Sequence, residues 1–140
     1  MKFDLHNRIA VKRAISPVSI ADNTAAVSQI LDMQGLMAAC LVIATGSIAD
    51  ADATFTVLLE ESDASNMAGA TAVADADLIG TEALAGFQFD DDNECRKLGY
   101  KGSSRYIRAT ITPANNASAA LLSAVWLTTP QDQPAANPPA

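Results

Sequence analysis

Two apolar stretches, each held between chain breakers, limit what this chain can fold into. Leu36 to Thr45 lies between Gly35 and Gly46, and Ala119 to Thr128 lies between Asn115-Asn116 and Pro130. Periodicity alone does not separate a central strand from a buried helix turn in such runs, but their length and the flanking Gly, Asn and Pro decide for strand. The longest unbroken apolar run, Leu36 to Ala44, has nine residues, whereas a membrane-spanning helix needs roughly 20. Alternation supports strands elsewhere. In Arg105 to Thr112, Ile107, Ala109 and Ile111 fall on one face and Tyr106, Arg108, Thr110 and Thr112 on the other, ending at Pro113. In Thr54 to Glu60, Phe55, Val57 and Leu59 share the face that a half-buried strand turns inward.

Shorter strand candidates are Ile9 to Ile15, Ala26 to Asp32, Gly86 to Phe89 and Cys95 to Leu98, with turn residues between them. Ala64 to Ala76 reads equally as a short helix or a loop, because Gly69 and the flanking aspartates weaken its alanine-rich helix pattern. Gly99 to Arg105 reads as the turn leading into the Arg105 strand, since glycines there permit positive φ. The fold expected is all-β: an antiparallel β-sandwich, jelly-roll-like, over residues 9–128, with an N-terminal arm at 1–8 and a Pro-rich C-terminal arm at 129–140. With 28 alanines among its 140 residues the core is built largely of small side chains, and Trp126 is its expected anchor. The C-terminal arm has four prolines in twelve residues and no large apolar side chain, so by itself it is an extended, flexible tail.

Charge and residue supply exclude several functions. Nine basic against 16 acidic residues give a net charge of −7, which argues against nucleic acid and against anionic membrane as partners. The single histidine, His6, has no cysteine or acid at catalytic spacing, and no Gly-x-Ser-x-Gly elbow is present. An enzyme is therefore the least supported class, and no cofactor is expected. Asp90-Asp91-Asp92-Asn93-Glu94 offers hard oxygen ligands, but without the glycine and distal glutamate of a calcium loop it reads as a solvated acidic turn. Cys40 and Cys95 read as free thiols, because the N-terminus lacks the apolar stretch of a secretory signal and the expected compartment is a reducing cytoplasm.

Several segments together resemble a family of small proteins from the head-gene regions of tailed bacteriophages and prophages. They are Asp4-Leu5-His6-Asn7, Arg13-Ala14-Ile15-Ser16-Pro17, Asp32-Met33-Gln34-Gly35, Ile43-Ala44-Thr45-Gly46, Asp50-Ala51-Asp52-Ala53-Thr54-Phe55-Thr56-Val57, Ala74 to Thr81, Lys97 to Arg108 and Ala136-Asn137-Pro138-Pro139. The Gly-Tyr-x-Gly-x-x-Arg-Tyr block at Gly99 to Tyr106 is the most specific of them. The resemblance implies a structural virion protein of the capsid decoration (cement, minor capsid) kind on the outer head surface, made in the host bacterial cytoplasm. It implies the major capsid protein as partner and self-association as a dimer or trimer. Phe3, Leu5, Tyr100, Lys101, Arg105, Pro130, Pro134 and Pro138 are the contact residues expected under it. Two alternatives accompany it: a head-completion or tail-tube-related connector, and a carbohydrate-binding module on the virion surface. The last is disfavoured by the seven aromatics, of which Phe55, Tyr106 and Trp126 fall in expected strands.

Overall fold

The computed structural model describes residues 1–139. Two antiparallel sheets pack face to face, as the alternating segments require. The first runs in the order β1 (Ala10–Ile20), β11 (Ala120–Pro130), β4 (Leu36–Ile48), β9 (Cys95–Tyr100), β7 (Leu78–Ile79). The second is built on β10 (Tyr106–Ala114) and β5 (Thr54–Ser62), with the short strands β2 (Ala26–Val27), β3 (Leu31–Asp32), β6 (Thr71–Ala72) and β8 (Phe87–Gln88) along its margins. The all-β sandwich expected from the strand pattern is the fold observed.

The core lies between the sheets. Leu41, Ile43, Leu122 and Trp126 enter it from the first sheet, and Phe55, Leu59, Ile107 and Ile111 from the second, all essentially fully buried. Phe55 stacks on Phe87 with ring centroids 4.7 Å apart, a contact worth about 1 kcal/mol beyond area burial. Trp126 donates its indole N–H to the carbonyl of Gln29 at 3.4 Å, so the largest core side chain also satisfies its one donor. Asn116 closes the far end, donating through its side-chain amide to the carbonyls of Ile20 and Asp22, both at 3.0 Å.

Several boundaries differ from the sequence reading. The first strand continues past Ile15 through Pro17 to Ile20, because register shifts at Arg13/Ile15 and Ile15/Val18 absorb the proline at this sheet edge. Pro113 likewise does not end its strand, which runs on to Ala114 paired with Thr54. Ala26 to Asp32 is two short strands rather than one. Ala64 to Ala76 holds a two-residue strand, Thr71–Ala72, and the start of a 3₁₀ turn, Asp75–Asp77. The one α-helical turn among the described residues is instead α1 (Glu82–Ala85), where the Thr81 hydroxyl accepts from the Leu84 N–H at 3.1 Å.

The C-terminal segment does not trail free. The Gln131 N–H donates to the Gly35 carbonyl at 2.9 Å and the Ala135 N–H to the Asn7 carbonyl at 2.7 Å, so the two chain ends meet each other. β11 also reaches Pro130, two residues beyond the expected arm boundary.

Candidate functional site

At one end of the sandwich, two turns face each other across a cleft of about 440 Å³. One turn, Met33 to Gly35, joins β3 to β4; the other, Lys101 to Arg105, joins β9 to β10. The Met33 N–H donates to the Arg105 carbonyl at 2.7 Å and ties the two together.

Arg105 organises the cleft. Its Nε and Nη2 donate in a fork to the two carboxylate oxygens of Asp32, each at 3.0 Å, and Nη2 also donates to Oε1 of Gln34 at 2.6 Å. The guanidinium lies over the Tyr106 ring, 5.1 Å from its centroid. The Arg105 hydrogen bonds hold the Asp32 carboxyl below the ordinary carboxylate range. Asp32 Oδ1 accepts in addition from the Gln34 N–H at 2.9 Å. Carboxylate, guanidinium and amide are thus fixed relative to one another, while the Gln34 side-chain NH₂ has no protein acceptor among the described residues.

Tyr100 forms the wall beneath. Its hydroxyl donates to Oε2 of Glu61 at 2.6 Å and accepts from the Ser104 N–H at 3.1 Å. Burial, followed by the Glu61 carboxylate, pushes this phenol far above its usual value. A Cβ on Gly102 would stand 2.5 Å from the Tyr100 hydroxyl, so only glycine lets the turn close over the ring. Met33, Leu36 and Met37 supply the apolar side of the cleft. Lys101 is exposed beside it and forms no ion pair among the described residues.

Three of the residues singled out in the sequence, Tyr100, Lys101 and Arg105, therefore come together. Tyr100 differs from expectation in being a buried strand residue rather than an exposed turn contact. β9 runs two residues past Leu98 because Gly99 and Tyr100 pair with Ile79 and Leu78 of β7. Phe3 and Leu5 are exposed on the N-terminal segment. Pro130 is half-buried at the end of β11, and Pro134 and Pro138 are exposed on the C-terminal segment. None of these five lines the cleft. Asp32 and Gln34 were not anticipated as site residues, because Arg105 meets them across more than 70 positions of chain.

The acidic turn at Asp90 to Glu94 is committed to the fold. Asp92 accepts from the Ile48 N–H at 3.0 Å and Asp91 from the Gln88 N–H at 2.9 Å, while Arg96 pairs with Asp91 and Glu94. Among the described residues no cluster of His, Cys, Asp or Glu is arranged to hold a metal ion.

No protein family matches the chain, and no curated protein is similar to it. Two solved structures are similar in shape. One is the C-terminal family 22 carbohydrate-binding module of Clostridium thermocellum Xyn10B, 10% identical, covering 91% of this chain and 97% of its own, with a TM-score of 0.45. The other is a xylan-binding domain of the same module family, 9% identical, covering 89% of this chain and 88% of its own, with a TM-score of 0.42. The capsid-decoration reading is not upheld: both of these structures are carbohydrate-binding modules. The contact role of Phe3, Leu5, Tyr100, Lys101, Arg105, Pro130, Pro134 and Pro138 was implied by that reading alone. At this identity and TM-score the likeness transfers no ligand to this chain.

Proposed function

We propose that the chain is a non-catalytic binding module that takes an oligosaccharide in the cleft between the Met33–Gly35 and Lys101–Arg105 turns. The observation that carries this is the hydrogen-bonded Asp32–Arg105–Gln34 network beside the apolar Met33, Leu36 and Met37. A sugar ring presents hydroxyls around its rim and C–H groups on its faces. It is matched by planar polar groups held at fixed spacing next to an apolar wall. Because those groups are already hydrogen-bonded to each other, binding orders little of the protein. The Gln34 NH₂, the Lys101 ammonium and the Ser103 hydroxyl are the groups available to a ligand. The carboxylates nearest the cleft are engaged, Asp32 by Arg105 and Glu61 by Tyr100, which supports binding rather than acid/base chemistry.

The test is a glycan array followed by titration calorimetry on the wild type, Gln34→Ala and Lys101→Ala. Both substitutions are at exposed positions, so folding is expected to be kept. Saturable binding of one glycan class, weakened about tenfold or more by each change, is the expected result. No binding by the folded wild type, or binding that neither change alters, overturns the reading.

A further inference from the structure

The two outer faces of the sandwich differ most in charge. On the β5–β10 sheet the outward side chains are mixed: Thr56, Thr110, Thr112 and the Arg108–Glu60 pair at 2.8 Å share the face with the exposed Leu58 and Val27, which flank Thr110. On the five-stranded sheet the outward face is apolar, and its central row shows why. Arg13 pairs with Val125, Val125 with Val42, and Val42 with Lys97, so two valines lie between two cations. The next row places Val11, Leu127, Cys40 and Gly99 side by side. The apolar runs in β4 and β11 are the source: one parity fills the core and the other faces out.

Charge sharpens the contrast. The chain has 16 carboxylates, yet none lies in β1, β4, β7, β9 or β11. Arg13 and Lys97 form no ion pairs among the described residues. Two copies each carrying −7 repel over most of their surfaces, and this sheet has no carboxylate to add to that repulsion.

We propose that the outer face of the five-stranded sheet is the contact surface between two copies of this chain. The area fits. With strands of 11, 11, 13 and 6 residues in β1, β11, β4 and β9, the face covers about 650 Å² at roughly 3.3 Å per residue and 4.8 Å between strands. Two such faces bury about 1,300 Å², within the range of stable specific interfaces. Small outward residues such as Ala38, Cys40, Ala44 and Gly99 allow close approach, and the cations remain at the rim, the arrangement of an apolar centre with a polar border. This inference is independent of the cleft and of its ligand.

Sedimentation of the full chain from micromolar to near-millimolar concentration tests it. The expected species has twice the 14.5 kDa chain mass. Val125→Asp, which places a carboxylate at the centre of the contact, is expected to weaken association at least about 100-fold. Thr110→Asp on the opposite sheet should leave it unchanged. In parallel, alkylation of the exposed Cys95 thiol, which pairs with Ala44 on the same face, should slow as wild-type concentration rises. That measurement needs no variant and stands if Val125→Asp fails to fold. A monomer at every concentration overturns the proposal. So does a dimer that Val125→Asp leaves intact, or one in which Cys95 reacts at the same rate at all concentrations.

Discussion

Tyr100→Phe isolates the hydrogen bond that holds the cleft wall in place. The substitution keeps the buried ring, so the apolar area removed from water is unchanged, and it deletes only the hydroxyl. Lost with it are the 2.6 Å bond to Glu61 Oε2 and the acceptor for the Ser104 N–H. A hydrogen bond to an ionised group contributes about 1.5–3 kcal/mol. Because Glu61 and Ser104 are both only half-buried, water recovers part of the loss, and the net cost at neutral pH is about 2 kcal/mol. For a domain of this size that lowers the melting midpoint by about 7 °C. The pH dependence gives a second, independent reading. The folded chain holds the Tyr100 proton more tightly than the unfolded chain does, so this contribution is complete below the unfolded value near 10 and is lost as pH rises through the folded value. The gap between wild type and Tyr100→Phe should therefore be constant from neutral pH to about 9 and narrow above about 10. Chemical denaturation at a series of pH values measures it. A gap below about 0.5 kcal/mol at neutral pH, or one that does not narrow in alkali, would mean that the Tyr100 hydroxyl does not stabilise the fold through Glu61.

Trp126→Ala should cost about 3–5 kcal/mol by emptying the centre of the core, whereas Leu84→Ala, at an exposed position on α1, should stay within about 0.5 kcal/mol; thermal or urea unfolding compares them. Asp32→Asn tests the surface fork with Arg105. Its carboxyl is held below the ordinary range, so the stability it contributes is present above the unfolded value and disappears as pH falls through the folded one. The wild-type advantage, about 1 kcal/mol or less for an exposed pair, should be present at neutral pH and gone in strong acid.

The strands were legible where alternation is strict. Phe55, Val57 and Leu59 in β5 and Ile107, Ala109 and Ile111 in β10 point into the core as their spacing requires. The long apolar runs gave correct strands but hid their environment, because a run with no polar parity reads as covered on both sides. Leu41 and Ile43 are covered; their neighbours Cys40 and Val42 are only half-buried. Tyr100 was misplaced for a different reason. Its strand is lengthened by pairing with β7, a partner some 20 positions earlier that local turn signals do not reveal. A Cβ on Gly99 would come within 2.9 Å of Ile79 Cβ, so the glycine that reads as a turn residue is there to let a neighbouring strand approach. The Asp32–Arg105–Gln34 network depends wholly on register between distant strands, and no spacing in the chain announces it. α1 did carry a local signal, Thr81 before Glu82-Ala83-Leu84-Ala85, a hydroxyl cap followed by good helix formers.

The binding cleft is tested most directly by the amide chemical shifts of the isotopically labelled chain during titration with oligosaccharides. Saturable shifts confined to the Met33–Met37 and Lys101–Arg105 segments are expected, with the Gln34 side-chain NH₂ among the largest. Shifts centred on other strands, or none with any oligosaccharide, would contradict it.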